Sequence, residues 1–307
     1  MLRVRNVTKS FGALMAVHDV SFELGDIGIT GMVGPNGSGK STLFHILTGF
    51  YRLDRGEIFF NRHSIANRPP YQISRLGVIR SFQHTRPLPF MSVRDNLIAA
   101  APRQCGESIW PLFFAPTRVR RQERTLREKA DRVLDLLKLA PLADELAGRL
   151  SYGQQKLMEL GRILMADPRL ILLDEPTAGI NPTLIRQLVE VLCRLCEEGI
   201  QIFLIEHNMP LVAQLCQHVF VMDSGELIFS GTPENARRDR RVAGAGTLGR
   251  AAGIARADRD GARHDGSRPE RPGDAVLERA LVDDLRRNRR RGCRRRCAGL
   301  AALARGT

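Results

Sequence analysis

The sequence predicts an α/β fold: a parallel sheet covered by helices on both faces, with a helical segment inserted into it. Three observations predict it. Apolar runs of strand length at Ile27 to Val33, Leu170 to Leu173 and Ile200 to Ile205 read as strands buried on both faces. Segments with apolar residues at helical spacing follow them, as at Leu43, Phe44, Ile46 and Leu47. From about residue 88 to 160 the pattern is helical throughout, which marks an insertion into the strand–helix alternation.

Taken in order, Leu2 to Val7 and Ala16 to Glu23 are short β-type runs joined by a turn. Ile27 to Val33 leads into a glycine-rich loop, and a helix is expected from Lys40 to Phe50. Pro69 and Pro70 open a short helix closed by Gly77, and Val78 to Phe82 reads as another strand. A charged helix is expected from about Thr117 to Leu139, then a further short helix from Pro141 to Leu146. Ser151 starts a helix that stops at Asp167-Pro168, and another spans Leu184 to Cys196. Val219 to Met222 and Leu227 to Phe229, joined through Ser224-Gly225, read as a hairpin.

The 307 residues suffice for a sizeable core, and 43% hydrophobic with 26% charged residues is the balance of a folded soluble chain. The net charge of +14 first suggests an anionic partner such as nucleic acid. Position changes that reading. Residues 236–307 hold 20 Arg, no Lys and 9 acids, a net of +11, and leave +3 for the first 235. The same 72 residues have no Phe, Trp or Tyr and only 10 Val, Ile and Leu, so a tail over 241–307 is expected to stay disordered. The Arg, Ala and Gly excess there also resembles the product of an altered reading frame. The six cysteines show no regular framework, Cys293 and Cys297 included, and no signal-type stretch follows Met1, which fits a reducing cytosol. No apolar run is long enough to span a membrane unaided.

Gly34-Pro35-Asn36-Gly37-Ser38-Gly39-Lys40-Ser41 fits G-x-x-x-x-G-K-[ST], between a strand and a helix as the motif requires. Glycines let backbone N–H groups converge on phosphates, Lys40 neutralises the terminal phosphates, and the Ser41 hydroxyl can face Mg²⁺. Thr42 follows in the same helical turn. Leu170 to Leu173 delivers Asp174 and Glu175 to the end of a buried strand, where ligands of open α/β sheets bind. With the phosphate loop in place, Asp174 becomes the Mg²⁺ ligand and Glu175 the carboxylate that takes a proton from attacking water. Ser151-Tyr152-Gly153-Gln154 reads as a capping box, yet glycine in a first helical turn costs about 0.5–1 kcal/mol relative to alanine. An exposed helix start with a hydroxyl and a glycine suits a phosphate arriving from another subunit.

The phosphate loop, Leu150-Ser151-Tyr152-Gly153-Gln154-Gln155 and Leu172-Leu173-Asp174-Glu175-Pro176, in this order, resemble the nucleotide-binding subunits of ATP-binding cassette (ABC) transporters. The resemblance covers residues 1 to about 235. It implies a P-loop NTPase core, about 1–87 and 161–240, with an N-terminal antiparallel β subdomain and an inserted helical signature subdomain, about 88–160. It also assigns Gln83 to water and Mg²⁺ at the junction with the insert, His207 to the γ-phosphate, and Phe11 to stacking on adenine. Taken alone, His207 and Phe11 also read as ordinary surface or core residues. Ser151, Gly153 and Gln154 are implied to meet the ATP of a second subunit.

Tyr152 and Asn181 depart from the family's usual Gly and Asp. Both, with Arg80-Ser81-Phe82-Gln83, Met91 to Leu97 and the insert around Trp110 to Arg121, resemble the ATPases of branched-chain amino acid importers. Those of urea, short-amide and related amino-acid importers look much alike, so the implied cargo is a branched-chain amino acid or a related small polar solute. The implied cofactors are ATP and Mg²⁺. The implied partners are transmembrane permease subunits, a second ATPase subunit and, indirectly, a solute-binding protein, at the cytoplasmic face of the membrane. The rival class is a soluble ABC-type ATPase acting on nucleic acid or ribosomes through its basic tail.

Overall fold

Two sheets share one core. In the computed structural model, residues 1–25, 28–81, 87–104 and 116–244 are described, and they fall within one unit, Met1–Ala252. The first sheet is antiparallel and has the order β2-β1-β4-β5, from β1 (Leu2–Phe11), β2 (Leu14–Glu23), β4 (Arg55–Phe60) and β5 (His63–Ser64). The second has six strands in the order β10-β9-β3-β8-β7-β6. In it β3 (Ile29–Val33), β6 (Val78–Arg80), β7 (Leu170–Asp174), β8 (Gln201–Ile205) and β9 (His218–Asp223) run parallel, and β10 (Glu226–Gly231) turns back antiparallel.

The burial patterns explain the difference. All five residues are buried in each of β3, β7 and β8, as continuous apolar runs in a two-faced sheet require. In β1 and β4, Leu2, Val4, Val7, Ile58 and Phe60 turn inward while their neighbours are exposed or half-buried. The inward faces of both sheets meet the helix α1 (Lys40–Leu47) in one cluster. Phe22 of β2 packs at 4.8 Å from Phe220 and 5.7 Å from Phe203, and Phe44 of α1 lies 4.9 Å from Phe203. The helix that follows the phosphate loop is therefore bolted to both sheets.

Several boundaries differ from the sequence reading. Helix α1 stops at Leu47, because Thr48 closes it and Gly49 adopts φ 77. Strands β4 and β5 and the helix Met209–Leu215 were not anticipated. The expected helix from Pro141 to Leu146 is replaced by 3₁₀ turns at Ala140–Leu142 and Ala147–Arg149. The charged helix runs Pro116–Leu136, ending as Lys138 turns to φ 55. The end of the expected strand at Phe82, much of the insert around Trp110 and the tail from 245 onward lie outside the described residues. Among the described residues, no helix is long and apolar enough to cross a membrane.

Candidate nucleotide site

Because β3, β6, β7 and β8 are parallel, their C-terminal ends share one edge, and the loops leaving it bring the chemistry together. From β3 comes the loop Gly34 to Gly39. Gly34, Gly37 and Gly39 have φ 156, 81 and 97, all positive. Two of them are also sterically obliged: a Cβ on Gly34 would lie 2.1 Å from the Met222 carbonyl, and one on Gly39 would lie 2.3 Å from that of Ala16. Gly37 has nothing within 4 Å and is exposed with Asn36, so the mouth of the loop is open. The β9–β10 turn closes the far side, where the Gly225 N–H donates to the Ser38 carbonyl at 3.2 Å.

Lys40 is buried at the start of α1. Its Nζ donates to the carbonyls of Gly34 at 2.9 Å and Pro35 at 2.7 Å, and to the Ser38 hydroxyl at 3.2 Å. The ammonium is thus aimed into the loop that would cradle the phosphates. Burial lowers its pKa, and Glu175 and Asp174 pull it back up. Ser41 and Thr42 lie in the first helical turn beside it, exposed and half-buried respectively.

Strand β7 supplies the carboxylates. Asp174 is 2% exposed, and its Oδ2 accepts from Arg80 Nη2 at 2.7 Å. Its Oδ1 is buried with no hydrogen-bond partner among the described residues. That orphaned oxygen fits Mg²⁺: a buried carboxylate lone pair with no donor suits the water shell of a hard divalent cation. Among the described residues no cluster of three or more His, Cys, Asp or Glu could hold a metal alone. The residues present fit a cation that arrives with phosphates and retains waters, with Ser41 and Asp174 on its protein side.

Glu175 sits at the sheet edge with φ 48, a left-handed backbone that turns its side chain off the strand line. Its Oε1 lies 2.9 Å from His207 Nε2, and both side chains are partly exposed. Behind them, Glu206 is buried and accepts from the Thr177 N–H at 3.1 Å and the Thr177 hydroxyl at 2.6 Å. Burial raises the Glu206 pKa against these bonds. Glu206 and Arg80 are given no role of their own by sequence reasoning, since their partners Thr177 and Asp174 are brought to them only by the fold.

Phe11 is 42% exposed, which removes the core reading left open by the sequence. Its ring meets Tyr51 edge-on at 5.3 Å, with Lys9 Nζ 5.2 Å from its centroid. Gln83 lies outside the described residues.

Helix Tyr152–Leu164 begins with the capping box in full. The Gln154 N–H donates to the Ser151 hydroxyl at 3.4 Å, and the Ser151 N–H donates to Gln154 Oε1 at 2.9 Å. Gly153, buried in the first turn, also has a packing neighbour. A Cβ there would stand 2.3 Å from Leu184 Cδ1 and 3.3 Å from Ile180 Cγ2, so a larger residue would oblige the end of the Leu184 side chain to move. Tyr152, 47% exposed, lies over Gly179, whose added Cβ would be 3.1 Å from the ring. Asn181 caps the helix Pro182–Glu197 by accepting from the Leu184 N–H at 2.9 Å, a task Asp does equally well.

A glycine loop with a buried lysine, opposite a strand ending in two carboxylates on a parallel-sheet edge, defines the class of P-loop nucleoside triphosphatases. Within it, the ABC transporter family model matches residues 17–178. The chain belongs to the ABC transporter family, whose ATP-binding subunits hydrolyse ATP to drive transport. The probable branched-chain amino acid transport ATP-binding protein LivG of Archaeoglobus fulgidus is 39% identical over 242 residues, covering 79% of this chain and 93% of that protein. The high-affinity branched-chain amino acid transport ATP-binding protein BraF of Pseudomonas aeruginosa is 37% identical over 238 residues, covering 77% and 93%. Among solved structures, a nucleotide-free ATP-binding cassette from an ABC transporter superposes with a TM-score of 0.70 at 36% identity, covering 80% of this chain and 98% of that one.

Proposed function

We propose that this chain is the ATP-hydrolysing subunit of an importer for branched-chain amino acids, acting at the cytoplasmic face of the membrane. It would work as one of two ATPase subunits docked on separate permease subunits, with a solute-binding protein delivering the cargo. One observation carries the ATPase reading: Lys40, Asp174, Glu175 and His207 converge on a single sheet edge beside an open phosphate loop. The solute is supported by the names of relatives 35–39% identical over most of the chain, all of them transport proteins. Those names do not favour the rival role on nucleic acid or ribosomes. In this reading residues 1–240 form the ATPase domain, 88–160 its helical subdomain, and 241–307 an appendage.

The loop N–H groups and Lys40 bind the phosphates, with Phe11 under the adenine. Mg²⁺, when bound, supplies charge neutralisation on the phosphates. Ser41 and Asp174 would hold it, with Gln83 joining them on the strength of the resemblance. Glu175 accepts the proton of the attacking water at its carboxylate. His207, hydrogen-bonded to Glu175, keeps that carboxylate turned to the edge and presents its ring to the γ-phosphate. Ser151, Gly153 and Gln154 complete the ATP site of the second subunit.

The test is to solubilise membranes carrying the tagged chain, identify the permease subunits that copurify, and reconstitute the complex in vesicles. ATP-dependent uptake of leucine, isoleucine or valine is expected. A complex that hydrolyses ATP and takes up none of the three overturns the solute and leaves the ATPase reading standing.

A further inference from the structure

Asp174 and Arg80 form an ion pair inside the protein, with side chains 1% and 8% exposed and a 2.7 Å contact. Burying two charges is costly and stabilises little compared with apolar packing, so such a pair calls for a role beyond stability. The pair also splits the carboxylate. Oδ2 is taken by Arg80, while Oδ1 has no partner among the described residues. We propose that Arg80 is a positioning residue for the metal site: by clamping Oδ2 it fixes the plane of the Asp174 carboxylate and presents Oδ1 to the hydration shell of Mg²⁺. The proposal rests on the ATPase reading above and adds to it a residue that none of the sequence motifs assigns to the metal.

Three features make Arg80 suited to the task. It ends β6, which pairs in parallel register with β7 so that Arg80 lies beside Leu172, two residues before Asp174. A neighbouring side chain secures the same place, because the Asp174 N–H donates to the Ser81 hydroxyl at 3.2 Å. The guanidinium is itself held, 5.8 Å from the centroid of Phe44, which belongs to the core and to α1. Its other charged and polar neighbours are His45 and Tyr51; burial foremost, then Arg80, lowers the His45 pKa, and Asp174 opposes the shift. Arg80 thus ties the metal carboxylate to the helix that carries Lys40 and Ser41. The hold is a single charge-assisted bond from Nη2, Nη1 being buried without a partner among the described residues, and a lysine would have to make that bond from a shorter, freely rotating ammonium.

The experiment measures binding of a fluorescent, non-hydrolysable ATP analogue by the full chain across a Mg²⁺ titration, with melting temperature as the folding control. In Arg80→Met, affinity without Mg²⁺ should stay within about twofold of the parent, since Lys40 and the loop are intact. The Mg²⁺ concentration for half-maximal tightening should rise about tenfold or more, the usual cost of losing a group that orients a metal ligand. Arg80→Lys should sit between the two, about threefold above the parent. If Arg80→Met does not fold, the lysine variant decides alone, and an unchanged Mg²⁺ requirement there overturns the proposal. A Mg²⁺ requirement that falls in either variant also overturns it, since Arg80 would then act only as a competing positive charge. Absence of nucleotide binding by the parent chain would instead defeat the ATPase reading, a separate outcome.

Discussion

The two ends of the proposed ATP-binding cycle are built differently within one chain. The phosphate loop and its carboxylate edge are set into the core: Ser38, Lys40 and Asp174 are at most 5% exposed, and α1 is wedged between two sheets. The start of helix Tyr152–Leu164 stands on the surface, with Ser151 and Tyr152 exposed and the capping box closed on itself. A rigid, buried half can be preorganised for charge before any ligand arrives. An exposed helix start has its own donors satisfied locally and gains a further task only when another molecule reaches it. In the proposed reading, nucleotide affinity belongs to the buried half, proton transfer to Glu175 at its partly exposed rim, and only the closing of the pair to the exposed helix start.

Substitution at the buried edge should separate chemistry from binding most sharply. Glu175→Gln keeps the shape and an acceptor for His207 but removes the base, so hydrolysis should fall by about 10²–10⁴-fold, the usual range for a general base. ATP affinity should persist, and closed dimers should accumulate in size-exclusion runs with ATP. Unchanged turnover would sink the base assignment. Lys40→Ala removes the ammonium aimed into the loop, and ATP affinity should drop by about tenfold to a hundredfold, as expected for one charge-assisted bond to phosphate. Normal binding by a folded Lys40→Ala chain would break the buried half of the comparison.

At the exposed half the expected effects are smaller and of another kind. Ser151→Ala loses the cap, about 1 kcal/mol of stability. In dilute chain, nucleotide affinity should not change, because Ser151 would meet only the ATP of the second subunit. Hydrolysis at dimer-forming concentration should fall several-fold. If dilute-chain affinity falls with it, the division between the halves is wrong.

The buried half was also the more legible in sequence. Glycines, a lysine and adjacent acids state their chemistry by type and spacing, and burial of β3 and β7 followed from unbroken apolar runs. The exposed half was less legible at Gly153, whose neighbour Leu184 is thirty-one residues further on, a contact that no local pattern could report. Strand β4 escaped because only Ile58 and Phe60 in Arg55–Phe60 turn fully inward, too short an alternation to stand out. Arg80 was visible as part of a motif, but its pairing with Asp174 is a product of the β6–β7 register. Helix Met209–Leu215, by contrast, carried readable signals in Asn208 as cap and apolar Leu211, Val212 and Leu215.

The smallest expected effect concerns Glu206, which is buried next to His207 in sequence. Its pKa is raised, by burial foremost, while bonds from Thr177 and the N–H groups of His207 and Asn208 oppose the rise. A carboxyl whose folded pKa lies above its ordinary value binds more protons in the folded state, so folding stability is lost as pH climbs from that ordinary value, about 4.3, through the raised one. Glu206→Gln cannot titrate, yet its amide oxygen can still accept from Thr177. Relative to the parent, the variant should therefore gain stability between pH 4.5 and pH 7, read as a melting-temperature difference that grows with pH. The comparison between the two pH values cancels every other titrating group the two proteins share. A pH-independent difference would mean that the Thr177 and backbone bonds fully offset the burial of the charge, and that the buried half of the site holds Glu206 ionised at no cost.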